Sequence, residues 1–283
     1  MLAVKVGIAY TIYRWEEKEL TRALRERGAE IRLLHLEEEP VAVGVRDQHQ
    51  MDICIQRSIV RPLAPAVSAA IESQGIRVVN RSVATLIAQD KAVSLSILSS
   101  KGIPVSITYV TYGLGSILEA AKLVGYPLVY KPSQGSWGRL VSLVKDEEML
   151  KTLYEHREVM QDPRARVGLV QELVDKGDRD IRALVVGSRV VGAMYRVGEF
   201  VTNYARGSEV VAAKLPPEVE DLAVRAAEAL GLEIAGVDIF EKRSGGYIVN
   251  EVNPVPEFKG VAAATGRDIA GIIADYVISL VRR

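Results

Sequence analysis

Ile234-Ala235-Gly236-Val237-Asp238-Ile239-Phe240-Glu241 and Tyr247-Ile248-Val249-Asn250-Glu251-Val252-Asn253 decide how this chain is read. They are two apolar, strand-like runs joined by the turn-forming Lys242-Arg243-Ser244-Gly245-Gly246, the pattern of a β-hairpin. Side chains alternate across a strand, so Glu251 and Asn253 share a face. Asp238, on the facing strand, is placed to join them in an oxygen-only cluster of two carboxylates and an amide. Hard oxygen donors suit magnesium, which is commonly held by one or two carboxylates together with the phosphates of a bound nucleotide. Acids beside a hairpin turn are often merely solvated. Here the flanks Ala235-Gly236-Val237 and Tyr247-Ile248-Val249 predict a buried sheet, where a charge needs a partner such as a metal.

Outward from the hairpin, a length of 283 residues allows a sizeable core and more than one compact lobe. With 48% hydrophobic and 25% charged residues the chain lies in the globular range. Thirty-six basic residues balance thirty-six acidic ones, so no global field recruits nucleic acid. The lone Cys54 lies in the apolar run Ile53–Ile55 and reads as a buried residue without a disulfide partner. The opening Met1–Ala9 run is too short for a signal peptide and reads as a first buried strand. No stretch reaches the roughly 20 apolar residues of a membrane span. A cytoplasmic, soluble protein with no membrane or nucleic-acid partner is expected.

The spacing predicts strand, helix and strand over Met1–Ala9, Trp15–Arg27 and Glu30–Leu34, then a strand at Asp52–Gln56, a helix at Pro65–Ser73 and a strand at Ile76–Val79. Such alternation implies parallel βαβ units and a first α/β lobe over residues 1–85. A long, broken helical stretch through Ala84–Ser100 opens a small α+β lobe over residues 86–165. Its strands at Ile107–Val110 and Pro127–Tyr130 and its helices at Gly115–Val124 and about Asp146–Arg157 surround the loop Ser133-Gln134-Gly135-Ser136-Trp137-Gly138, which connects the second strand to Arg139–Val144. Strands then dominate residues 166–283: Leu169–Val174, Asp180–Val186 and Arg189–Arg196. The last two flank Gly187-Ser188, a connection suited to a tight hairpin. Helices over about Pro217–Leu230 and Asp268–Val281 bracket the metal-type hairpin. The fold class is α/β, built of α+β lobes.

Lysines in the middle lobe, a glycine loop, an acid-bearing strand and the D…N-E-x-N hairpin occur in an order that resembles the ATP-grasp ligases, whose fold holds ATP between two α+β lobes. More narrowly, four segments resemble the LysX/ArgX family: Lys131-Pro132 with Gly135-Ser136-Trp137-Gly138-Arg139, then Gln171-Glu172, then Asp178-Arg179-Asp180-Ile181-Arg182, and finally Asn250 through Lys259. The resemblance covers nearly the full chain. The related ribosomal-protein glutamate ligases are less similar in the Gly-Ser-Trp-Gly-Arg loop.

That resemblance implies an ATP- and Mg2+-dependent ligase that phosphorylates the γ-carboxylate of the C-terminal glutamate of LysW, a small acidic carrier protein. The α-amino group of glutamate or α-aminoadipate then attacks the acyl phosphate, in arginine or lysine biosynthesis. Lys91 and Lys131 match phosphate-contacting lysines, and the loop residues Gly135, Ser136, Trp137 and Gly138 match a lid over ATP. Glu172 and Val174 match the adenine-binding hinge. Asp180 matches a ribose ligand, with a salt bridge to Arg179 or Arg182 the competing role. Arg196 and Asn203 match contacts to the γ-phosphate and acyl phosphate. Asp238, Glu251 and Asn253 match the magnesium ligands, with Glu251 bridging two ions. Arg179, Arg182 and Lys259 compete as partners of the substrate's distal carboxylate, and Glu257 and Phe258 belong to the same substrate segment. The apolar terminal helix and the resemblance suggest a homodimer or homotetramer.

Two features depart from the pattern. Ser208 replaces the second glycine of the N-x-A-R-G-G segment, and the substrate motifs are mixed. Asn253-Pro254-Val255-Pro256-Glu257-Phe258 resembles the glutamate type, whereas Tyr195-Arg196 and Thr202 through Gly207 resemble the α-aminoadipate or dual-substrate type. The two amino acids differ by one methylene, worth about 1–3 kcal/mol in a pocket, so use of both is expected, with glutamate favoured. The competing classes are a peptide or ribosomal-protein glutamate ligase, for which the carrier would be dispensable, and an ATP-binding regulator without turnover, for which a metal ligand or phosphate lysine would be missing.

Overall fold

The computed structural model describes residues 3–45, 50–135, 138–160, 166–198 and 210–282. The opening segment forms β1 (Lys5–Tyr10), α1 (Trp15–Glu26), β2 (Glu30–His35), β3 (Ile53–Gln56), α2 (Leu63–Ser73) and β4 (Arg77–Val79). The four strands pair in parallel in the order β2-β1-β3-β4. Cys54 is buried in β3. Burial pushes its thiol up to about 12, which leaves it a packing group rather than a nucleophile.

The helical stretch expected over residues 84–100 is two helices, α3 (Ser82–Ala88) and α4 (Lys91–Ser100). The chain breaks at Gln89-Asp90, where the Asp90 carboxylate caps α4 by accepting from the Ala92 and Val93 N–H groups. A central antiparallel sheet follows, β5 (Thr108–Thr111), β6 (Leu128–Pro132), β7 (Ser142–Val144) and β8 (Gly168–Glu172), ordered β5-β8-β6-β7. It is backed by α5 (Leu114–Val124) and α6 (Glu147–Glu158) around its own core of Ile117, Leu128, Tyr130, Leu150 and Val170.

The third sheet is antiparallel with order β11-β10-β9-β12-β13, formed by β9 (Arg179–Val186), β10 (Arg189–Val197), β11 (Val210–Ala212), β12 (Ile234–Glu241) and β13 (Tyr247–Asn253). Helix α7 (Pro217–Ala229) precedes the β12–β13 hairpin, and α8 (Lys259–Thr265) and α9 (Ile269–Val281) follow it. Two short elements, β11 and α8, have no counterpart in the sequence reading. Three and seven residues are too few for either period to register. Val186 pairs with Arg189 across the expected two-residue turn. Gly187 has φ +61 there, and a Cβ would fall 2.8 Å from the Tyr276 ring, so only glycine fits.

Alternation splits the third sheet between two cores. Ile181, Ala183, Val185, Val237 and Ile239 pack with α4 and α7 residues such as Leu98 and Leu222. Leu184, Val186 and Met194 face the other way and share a core with Ile8, Leu20 and Leu24 of the first lobe and with Phe258, Ile273 and Val277. Polar contacts reinforce that junction. Asn80 donates to the Ile234 and Pro254 carbonyls and accepts from the Glu233 and Ile234 N–H groups. Arg57 donates to the Glu17 carboxylate at 2.9 Å and to the Pro256 carbonyl at 3.0 Å. Among the described residues no helix is long and apolar enough to cross a membrane.

Glu17 is fully buried beneath Arg57 and Arg14. Burial works to raise its carboxyl, but the two guanidinium groups outweigh that and hold it below the usual carboxylate range. Glu17→Gln removes one partner of a buried pair and is expected to cost about 3–5 kcal/mol at neutral pH. Urea unfolding measures the loss; a change under about 1 kcal/mol would show that the pair does not brace the first lobe.

Candidate active site

The inner face of the third sheet carries the site. On β9, Asp180 and Arg182 lie on the same face as Leu184; on β10, Arg196 lies on the face of Met194; on β12, Asp238 is followed two residues later by Phe240, as strand alternation requires. Asp238 stands opposite Glu251 and Gly236 opposite Asn253 in the β12–β13 register. All of these residues except Leu184 and Gly236 line one cavity of about 880 Å³, within the range of small-molecule and cofactor pockets. Gly236 makes room for the arrangement, since a Cβ there would meet the Arg182 guanidinium at 2.5 Å.

The acids on this face are compensated from the same sheet. Arg196 lies 2.7 Å from Asp180 and 3.1 Å from Asp238, and Arg182 lies 2.5 Å from Asp238. Burial pushes the Asp238 carboxyl up, against the pull of Arg182 and Arg196. Its Oδ1 is close to both guanidinium groups yet lies off the line of any hydrogen bond, so one oxygen of a buried carboxylate is neutralised by charge alone. Burial also works against the Arg196 charge, but Asp238 and Asp180 reverse the effect and raise its pKa.

The opposite wall is cationic. Lys131, at the end of β6, is buried and donates to Asn250 at 3.3 Å. Burial, assisted by repulsion from Lys91, draws its ammonium down to about 8. Lys91, the first residue of α4, donates to the Gly135 carbonyl at 2.8 Å and lies 3.4 Å from Glu251. Burial would raise the Glu251 carboxyl, but Lys91, Lys131, Arg61 and Arg182 together hold it below the usual range. The glycine loop is tied to the break before α4. Asp90 accepts from the Ser133 hydroxyl and, at 3.1 Å, from the Gln134 amide, and the Lys91 N–H donates to the Ser133 carbonyl at 2.9 Å. Burial would raise the Asp90 carboxyl as well, and these donors hold it down.

The structure gathers most of the residues singled out in the sequence. Lys91, Lys131, Gly135, Gly138, Glu172, Val174, Asp180, Arg182, Arg196, Asp238, Glu251, Asn253, Glu257 and Lys259 all border the cavity. Ser136, Trp137 and Asn203 lie outside the described residues. Two substrate candidates are placed elsewhere. Phe258 is fully buried against Trp15 and Arg57, which removes it from any ligand. Arg179 stacks over Tyr195 and pairs with Glu241 on the outer surface, because it sits one residue out of phase with Asp180 on β9. Asp180 pairs with Arg196 of the neighbouring strand. The Glu172 side chain accepts from the Ile107 N–H, and its own N–H donates to the Ile107 carbonyl, while Val174 lies just past the end of β8.

Asn250 was not anticipated. The register steps from Asp238↔Glu251 to Ile239↔Val249, leaving Asn250 as the extra residue of a bulge that turns it toward Lys131. Bulges commonly re-aim side chains in this way beside functional sites, and nothing in an N-E-x-N string marks one. Arg14, Arg61 and Lys176 also border the cavity, and a lone basic residue in a loop gives no periodic signal.

Comparison with known proteins fits this arrangement. Residues 88–277 match the RimK-like ATP-grasp domain and residues 6–87 the LysX preATP-grasp domain. The chain is 33% identical over 277 residues to the glutamate–LysW ligase ArgX of Sulfolobus acidocaldarius, covering 97% of this chain and 98% of that one. It is 32% identical over 275 residues to the α-aminoadipate–LysW ligase LysX of the same organism, covering 95% and 100%. Among solved structures, a RimK domain ATP-grasp protein from Sphaerobacter thermophilus superposes with a TM-score of 0.79 at 27% identity, over 97% of this chain and 100% of the other.

Arg196→Ala would leave Asp180 and Asp238 buried without their shared cation. A loss of about 3–5 kcal/mol at pH 7 is expected. It should shrink as the pH falls toward 4, because Asp238, already pushed up by burial, can then take a proton. Urea titrations at the two pH values test this, and an equal loss at both would sink it.

Proposed function

The chain belongs to the RimK-like ATP-grasp family, and from that premise we propose that it ligates glutamate or α-aminoadipate to the acidic carrier protein LysW. It is an ATP-dependent carbon–nitrogen ligase. The substrate reading rests on full-length similarity to ligases of both names, at 33% and 32% identity. One structural observation carries it: Asp180, Arg196, Asp238, Glu251 and Asn253 on one sheet face lie across a single cavity from Lys91 and Lys131.

Phosphoryl transfer to a carboxylate needs neutralisation of oxyanion charge and in-line positioning. Lys131 and Lys91 are fixed for that role by a strand end and a helix start. The donor set fits magnesium: Asp238, Glu251 and Asn253 offer oxygens only, and the Asp238 Oδ1 has no hydrogen bond. Asp238, Glu251 and Asn253 would hold magnesium, as two ions on this reading, and the metal would neutralise phosphate charge there. Val174 and Glu172 border the adenine end, and Asp180 the ribose. The terminal phosphoryl group of ATP passes to the carrier's terminal γ-carboxylate, giving an acyl phosphate and ADP. The α-amino group of the amino acid then attacks, expelling phosphate and forming the amide. Arg196, held by Asp180, faces the charge that develops in both steps. Arg182 and Lys259 are the cavity cations left from the substrate set, and Lys259 is the more exposed. The same reading places the enzyme in the cytoplasm as a homodimer or homotetramer.

ADP release is expected to require ATP, magnesium, an amino acid and the carrier together, with glutamate and α-aminoadipate both used. Turnover without carrier would replace this reading by a small-substrate or peptide ligase. Lys131→Met and Glu251→Gln should each lower kcat by about 10²-fold or more.

Nucleotide binding should also take up a proton. The Lys131 ammonium, drawn down to about 8 by burial, is half neutral near pH 8, and phosphate oxyanions beside it favour the charged form. Calorimetry of ATP binding in buffers of different ionisation enthalpy should show uptake near pH 8, little at pH 6 where the lysine is already protonated, and none in Lys131→Met. Uptake that persists in the variant would assign the proton elsewhere.

A further inference from the structure

The first sheet reverses its strand order about β1, with β2 on one side and β3 on the other. Open α/β sheets bind ligands at the carboxyl ends of strands flanking such a switch point. The loop leaving β3 there carries Arg61, whose side chain borders the cavity and donates to two backbone carbonyls, those of Gln89 and Gly135. The Gly135 carbonyl accepts from the Lys91 ammonium as well. A guanidinium and an ammonium therefore converge on one uncharged oxygen.

The neighbouring arginines of the cavity are matched differently. Arg14 pairs with Glu17 and Glu257, Arg182 with Asp238, and Arg196 with Asp180 and Asp238. Arg61 makes no ion pair among the described residues, although it is largely desolvated, and burial lowers its pKa against the weaker pull of Glu251 and Asp90. Glu251 is engaged with Lys91. Two adjacent cations share one carboxylate and one carbonyl dipole, an arrangement that leaves positive charge uncompensated in a partly dry cleft. A tetrahedral oxyanion with more than one negative charge matches both its charge and its geometry, and a fork-shaped guanidinium binds such a group with two donors.

We propose that Arg61 is a phosphate-binding residue supplied by the first lobe, which with Lys91 receives the terminal phosphoryl group of the bound nucleotide. The assignment rests on the nucleotide site proposed above. It differs from the roles of Lys131 and the metal ligands in coming from outside the ATP-binding lobes, so the γ-phosphate is held jointly by the first lobe and α4. ADP, lacking that group, makes no use of Arg61.

The test is calorimetric titration of the parent, Arg61→Ala and Arg61→Lys with magnesium plus ADP or the β,γ-imido analogue of ATP. In Arg61→Ala, ADP affinity should stay within about twofold while affinity for the analogue falls about 10-fold or more, the worth of a hydrogen bond to a charged group. Arg61→Lys, which keeps the charge but loses the fork, should fall between, and it serves as the readout if the alanine variant does not fold. Retained ADP binding certifies the fold and the nucleotide site in each variant. Equal losses for ADP and the analogue, or no loss for either, would overturn the assignment. So would unchanged nucleotide affinity with a raised KM for the amino acid, which would make Arg61 a carboxylate ligand. A parent protein that binds neither nucleotide would instead overturn the nucleotide site itself.

Discussion

A carboxylate taken out of water must find positive charge, and the cleft of this protein is organised around that requirement. Asp180, Asp238 and Glu251 stand on one face of a sheet whose other face packs an apolar core. Strand alternation puts them there, so the same periodicity that builds the core also concentrates charge. Arg182 and Arg196 come from the paired strands β9 and β10, within the sheet that carries the acids. Lys91 and Lys131 arrive from across the cavity. Without these cations the acids would be protonated or the face would be solvated. With them, each acid of the face has a cation beside it, and the charges are already in place before any ligand arrives.

The cationic wall depends on a break in a helix. A continuous helix over the 84–100 segment would leave residue 90 a mid-helix position with a solvated side chain. Ending α3 at Ala88 and restarting at Lys91 frees Asp90 to cap α4 and to hold Ser133 and Gln134. One carboxylate thereby sets the start of the helix that presents Lys91 and the root of the loop that faces it. Capping and loop anchoring are achieved by the same group, which is why its pKa is pulled down despite burial.

Much of this was legible in the residues. The hairpin, its acidic and amide donors, the parallel first lobe and the Gly187-Ser188 turn follow from period, turn chemistry and the shortage of other ways to satisfy buried charge. Four kinds of information were not there. Phase within a strand end is fragile: a shift of one residue sends Arg179 outward and Asp180 inward. A bulge such as the one at Asn250 depends on how two strands settle against each other, which neither strand encodes alone. Phe258 follows a motif-like segment yet serves as a core residue under Arg57, because a large aromatic next to a buried guanidinium gains more from packing than from a ligand. Arg61 is a loop residue whose meaning comes only from what the fold sets beside it.

Asn80 hydrogen-bonds through both ends of its carboxamide to the segment entering β12 and to Pro254, while side chains of the first lobe and the third sheet fill a common core. The central sheet instead encloses a separate, smaller core. From that burial the chain's beginning and end are expected to lose their amide protection together, and the smaller core of the central sheet to exchange by sub-global opening at a lower free-energy cost. The covalent order of the chain, first, middle and last, is not the order in which its parts hold together.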